Sequence, residues 1–196
     1  MPDRLANAAL EVIRASTRDA HAALDATLEI ARAESGEAEY FRYIGAVLGW
    51  LEPLETALWQ GPWPDVVAPG ERRDKSAWIV SDLRERGLTD AEVAAIPRCE
   101  SLPPLDSAAA RFGAAYVVEG AQLGGRALLK ELGPRLAPRR ARWLEGYGSE
   151  TAARWRAFVA ALGAELPDGT EARVAAESAQ RTFAWVHSWF TLRGVA

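Results

Sequence analysis

Arg14, Arg18 and His21 fall within an arc of about 60° if this stretch is helical, since a helix turns about 100° per residue. One imidazole and two guanidinium groups then point the same way. Imidazole nitrogen is a good axial ligand for the iron of a porphyrin, and guanidinium pairs well with carboxylates such as propionates. A plainer reading uses the same residues: with Asp25 four positions beyond His21, they form a solvated stripe joined by weak i,i+4 pairs. Position weighs against the stripe, because Leu10, Ile13, Thr17, Leu24 and Leu28 make an apolar face and His21 lies on its border.

A second unusual stretch lies nearly a hundred residues later, at Tyr116-Val-Val-Glu-Gly120-Ala-Gln-Leu-Gly124-Gly125. On a helix Gly113, Gly120 and Gly124 share an arc of about 40°. Each helical glycine costs roughly 1 kcal/mol relative to alanine, so something must press close to the backbone there. Two occupants qualify. One is a second helix packed through small residues; the other is a flat ligand, with Gly124-Gly125 permitting a kink that leaves room for a small molecule. Read together, the His21 face and the glycine face make the two walls of a haem pocket.

The elements that must position these walls read as helical throughout, since apolar residues recur with a period near 3.6 and almost nowhere alternate. The predicted fold is all-α and single-domain over 1–196. A first helix is expected over roughly 5–32, ending near Ser35-Gly36. A second, 37–60, carries Tyr40, Ile44, Val47 and Leu51 on one face and stops before Gly61-Pro-Trp-Pro64. Short helices follow at 76–86 and after the capping-box pattern Thr89-Asp-Ala-Glu92. Beyond the linker Pro97 to Pro104, a long helix is expected over 106–132, closed by Gly133-Pro134. Two more are expected over 138–163, broken near Gly146-Tyr-Gly148, and over 169–192 after the cap-like Asp168-Gly-Thr-Glu171. The spacing of Tyr40, Phe41 and Tyr43 assigns them to the core.

Composition narrows the function classes. The 196 residues are 49% hydrophobic, ample for one sizeable core, and the net charge of −4 argues against a nucleic-acid binder. The local basic cluster Arg135, Arg139, Arg140 and Arg142 reads as a solvated helix start or loop, or as a dock for an acidic protein. Cys99 is the only cysteine, which excludes an intrachain disulfide and a thiolate zinc site and fits a reducing cytoplasm. There is no basic n-region with an apolar core, as a secretory signal needs, and no uninterrupted apolar run of membrane-spanning length. A soluble, cytoplasmic protein is expected. His187 sits in an apolar closing helix and reads as packed or partly exposed, and the eight tryptophans read as core. Glu119 has no partner carboxylate spaced for acid–base work.

Three segments resemble bacterial, biliverdin-producing heme oxygenases of the kind associated with bacteriophytochromes. They are Thr17-Arg18-Asp-Ala-His21 with Leu24-Asp25, the run Pro97-Arg-Cys-Glu-Ser-Leu-Pro-Pro-Leu-Asp-Ser107, and Tyr116 to Gly125, whose glutamate-glycine followed by leucine-glycine-glycine is the most specific. The resemblance implies a helical bundle with haem between a proximal helix and a kinked distal helix. By position, His21 matches the proximal iron ligand, and Arg14 and Arg18 can reach the propionates. Gly120, Gly124 and Gly125 match the distal glycines that admit haem and oxygen, with Gly120 and Gly124 as the catalytic wall. Tyr116 lines the pocket, and Arg156 is a further propionate contact by a looser match. Ala121 departs from the pattern, which has serine or threonine there. The implied reaction opens haem with oxygen to biliverdin, carbon monoxide and ferrous iron. With no Gly-x-Gly-x-x-Gly fingerprint or phosphate loop, electrons must come from a separate reductase or ferredoxin, and a bacteriophytochrome would accept the biliverdin. Two alternatives stand beside the enzyme: a noncatalytic haem or tetrapyrrole binding protein of the same fold, kept open by Ala121, and a plain helical interaction domain, favoured only if His21 faces solvent.

Overall fold

The computed structural model describes the backbone of residues 2–167 and 169–196 and the side chains of residues 8–167 and 169–196. Among the described residues every regular element is helical: α1 (Pro2–Thr27), α2 (Glu37–Leu58), α3 (Lys75–Glu85), α4 (Asp90–Ala94), α5 (Ala108–Leu136), α6 (Arg142–Glu145), α7 (Thr151–Glu165) and α8 (Gly169–Leu192), with short 3-10 turns between some of them. Asp168, the first residue of the expected cap before α8, lies outside the described residues.

The apolar stripes do what their period predicts. Tyr40, Ile44, Val47 and Leu51 of α2 are fully buried, and Leu10, Ile13, Thr17 and Leu24 of α1 are buried on the side packed against α7 and α8. The Thr89 capping box forms, with the Thr89 N–H donating to Glu92 Oε2 at 2.8 Å and the Glu92 N–H to Thr89 Oγ1 at 3.3 Å. The α5–α8 crossing is closest where side chains are smallest. A Cβ on Gly113 would collide with the Ala175 carbonyl and stand 2.8 Å from Ser178 Cβ, and Ser178 Oγ donates to the Ala110 carbonyl at 2.7 Å.

Three boundaries differ from the sequence expectation, each because tertiary contacts supply what local sequence does not. α1 stops at Thr27, not near residue 32. Leu28 is extended, a short turn Glu29–Ala31 follows, and the Glu29 N–H is taken by the Val195 carbonyl at 3.1 Å, so the chain's last residues pair with the segment that leaves the helix. α5 runs through Gly133-Pro134 to Leu136. Pro134 removes one N–H donor there, while buried Leu132 and Leu136 hold the added turn in the core. The helix expected from 138 begins only at Arg142, where Asp82 of α3 accepts the N–H groups of Arg142 (3.1 Å) and Trp143 (3.2 Å). The break before α7 falls where expected, with Gly146 and Gly148 at φ of 56° and 57°. That left-handed region is cheap only for glycine.

The basic cluster is solvent-exposed at Arg135, Arg139 and Arg140, as expected, yet its guanidinium groups are already engaged and do not make a free dock. Arg139 pairs with Glu37, Arg140 with Glu145, and Arg142 with Asp82 and Glu85, while Arg135 donates to the Ala33 carbonyl. These arginines clip the α5–α6 connection onto α2 and α3. No helix among the described residues is long and apolar enough to cross a membrane.

Candidate functional site

α1 and α5 face each other across a cavity of about 480 Å³ whose remaining walls come from α2, α6, α7 and α8. Its lining is mainly aliphatic and aromatic, with Leu24 and Leu28 near α1, Val117 and Leu128 on α5, and Phe183 and Phe190 on α8. A more open recess of about 310 Å³ shares Arg14, His21, Asp25 and Tyr116 with it and adds Thr17, Arg18 and Ala22. The cleft is therefore apolar inside and charged at its lip.

His21 is the group best placed for ligand chemistry. Its ring packs edge-on to Phe183 with centroids 5.6 Å apart, and Nδ1 lies 2.9 Å from Asp25 Oδ2. An Nδ1–H donated to that carboxylate leaves Nε2 with its lone pair. The side chain is 57% exposed, more than its border position implies, because it stands on the lip of an open cleft. Arg14 and Arg18 stand on the same lip, and neither forms an ion pair with a described residue.

Across the cavity, the glycine strip divides into two parts. A Cβ on Gly120 or Gly124 would meet nothing within 4 Å, so no helix packs there, whereas Gly113 is pressed against α8. The three share an angular face, but Gly113 sits two turns and more down the axis, beneath the α8 crossing. Gly125 also lines the cavity, and a Cβ there would stand 3.4 Å from the Leu144 backbone. Tyr116 contributes to both recesses and packs against Trp155 with ring centroids 5.7 Å apart.

Arg156 does not join the group. It is exposed on α7 and is no part of the lining, while its neighbour Trp155 supplies the wall. His187 is partly exposed on α8 and also lies outside the lining. Tyr43, Trp50 and Trp143, which spacing or composition assigned to the core, are buried and yet face the cavity. Trp143 Nε1 donates to the Tyr43 hydroxyl at 3.5 Å, and the buried Trp50 indole N–H has no partner among the described residues. Burial pushes the Tyr43 phenol up from its ordinary value, so it holds its proton and remains a donor. A fully buried aromatic run is indistinguishable by period from a cavity wall, which is why these residues escape sequence reasoning.

The profile of the heme oxygenase family matches residues 7–191. A heme oxygenase of Xanthomonas campestris pv. campestris (strain 8004) is 39% identical over 113 residues, which make up 56% of this chain and 65% of that protein. The chain thus matches just under two thirds of that relative's length. No solved structure gives a significant match.

Proposed function

The chain belongs to the heme oxygenase family, and on that premise we propose that it opens haem with dioxygen and external electrons to biliverdin, carbon monoxide and ferrous iron. The observation that carries this reading is the cleft itself, with a free imidazole Nε2 on one wall and two unobstructed glycines on the other. The residues present fit haem. A volume of about 480 Å³ with apolar walls and few polar groups suits a flat, largely hydrophobic molecule, and the arginines at the lip suit its two carboxylates.

Bound haem supplies the redox chemistry and the carbon that is attacked; the chain supplies a ligand, an orientation and a shape. His21 would hold the iron through Nε2, with Asp25 orienting its ring from the Nδ1 side. Arg14 and Arg18 bind the propionates and so select which edge of the ring points inward. Gly120 and Gly124 leave room for the haem face and a diatomic molecule above it, with Gly125 and Tyr116 completing that wall. Ala121 lacks the hydroxyl of the usual bacterial pattern, and the tyrosines of the lining, Tyr43 and Tyr116, offer hydroxyls to order water in a mainly apolar space.

Electrons come from a separate reductase or ferredoxin, since the chain carries no phosphate-binding glycine loop. The motif resemblance supports a bacteriophytochrome as biliverdin acceptor, and the lone thiol of Cys99 supports a cytoplasmic setting. Ala121 also supports a second reading, a haem carrier without turnover. Haemin added to the purified protein, followed by ascorbate in air, separates the two. A Soret band that appears and then gives way to a biliverdin spectrum is expected; a Soret band that persists makes the protein a carrier, and no Soret shift defeats the haem reading.

A further inference from the structure

Directly behind the glycine wall, on the side of α5 turned away from the cavity, lies a knot of buried charge. Glu119 precedes Gly120 and its side chain is 2% exposed. It pairs with Arg72, also 2% exposed, and with Lys75, 0% exposed, whose Nζ lies 2.9 Å from Oε1. Tyr147 donates its hydroxyl to the same carboxylate at 3.1 Å. Arg72 also donates to the carbonyls of Val67 and Arg154, and the Lys75 ammonium sits over the rings of Trp59 and Tyr147 at 5.3 and 5.2 Å. Glu55 of α2 completes the set, accepting the N–H groups of Lys75 (2.9 Å) and Ser76 (3.0 Å) at the start of α3. Two cations and two carboxylates balance, and four separate parts of the chain meet there. Burial lowers the Lys75 pKa, opposed by Glu119 and Glu55.

Such an assembly is a poor way to gain stability, since apolar residues of equal volume often serve as well or better. What it does supply is a fixed geometry. A carboxylate gripped by a guanidinium, an ammonium and a phenol sets both the rotation of α5 and its depth in the bundle. The glycine wall needs that from behind, because Gly120 and Gly124 present no side chain whose contacts could set their distance from whatever fills the cleft. Tyr147 reaches the carboxylate from a segment bent by the positive-φ residues Gly146 and Gly148, so the break between α6 and α7 belongs to the same device.

We propose that Glu119, held by Arg72, Lys75 and Tyr147, is a positioning residue that sets how far the Gly120–Gly124 wall stands from the bound haem, and so the space open to a small molecule above it. This rests on the haem reading. The test compares wild type, the apolar triple variant Arg72→Met/Lys75→Met/Glu119→Met, and Tyr147→Phe, which keeps every charge. Each is measured for apo thermal midpoint, haemin affinity, and the rate at which carbon monoxide binds the reduced haem complex.

Because a displacement near 1 Å can change a rate about 100-fold, the triple variant is expected to alter the carbon monoxide rate roughly tenfold or more, with Tyr147→Phe shifting it a few-fold in the same direction. Haemin affinity should stay within about threefold, since the ligand and the lip arginines on α1 are untouched. A folded triple variant with the wild-type carbon monoxide rate overturns the proposal whatever its midpoint; if the triple variant does not fold, an unchanged rate in Tyr147→Phe overturns it. Failure of the wild type to bind haemin instead defeats the haem reading on which it stands.

Discussion

His21 has its Nδ1 2.9 Å from Asp25, so Nε2 is the nitrogen placed to meet iron, which gives the residue a definite experimental signature. His21→Ala should abolish turnover and remove the axial-ligand features of the ferric spectrum, with exogenous imidazole restoring part of them; an unchanged spectrum would discard the assignment. Arg14 and Arg18 act differently. Charges at an open lip are each worth about 0–1 kcal/mol, enough to tilt haem between two orientations but not to empty the site. The double alanine variant should therefore change the ratio of biliverdin isomers more than the haemin affinity, and an unaltered ratio would reduce both arginines to surface charges. The shared face of Arg14, Arg18 and His21 was legible from spacing alone, and so was Asp25, although the bland stripe uses the same pair. Arg156 was not, because one residue along a helix is a turn of about 100° and puts Trp155 in the wall instead. Glu119 was opaque for another reason: Arg72 and Lys75 lie far from it in the chain, and only the fold brings them to one carboxylate.

Within α5, glycines that look alike in sequence do unlike work. Gly113→Ala drives a methyl group into the α8 backbone, and overpacking of this kind should cost about 1–3 kcal/mol in chemical or thermal unfolding without altering the cavity. Gly124→Leu enters open space, where helix propensity favours leucine by several tenths of a kcal/mol. Its apo midpoint should hold or rise while haemin binding or turnover is lost, and a collapsed midpoint would reassign Gly124 to packing. The existence of the long elements was readable from period, and the capping box at Thr89 from its two residues. The ends of α1 and α5 were not, since Val195 and the buried Leu132 and Leu136 decide them through contacts absent from the local sequence.

At the scale of the whole molecule, ion pairs and carboxylate caps tie the shell of the bundle together, and several hold their acids below the ordinary value. The Arg142 hydrogen bond lowers Glu85, the Gly36 N–H lowers Glu39, and the Thr89 N–H lowers Glu92. A carboxyl whose folded pKa is depressed adds stability above its unfolded value, 4.5 here, and loses it as pH falls through the folded value. Thermal midpoints measured from pH 7 to pH 3 should thus be flat at first and decline from about pH 5 downward, as unfolded carboxyls take up protons that the folded ones still refuse; a loss confined to higher pH would contradict this. The same bundle leaves one apolar cleft between α1 and α5, and the central claim is that haem occupies it. A crystal structure of the haemin complex tests this most directly. The porphyrin should lie between α1 and the Gly120–Gly124 wall, with iron on His21 Nε2 and propionates turned to Arg14 and Arg18. Iron on His187, the only other histidine, or haem bound outside the cleft would contradict it.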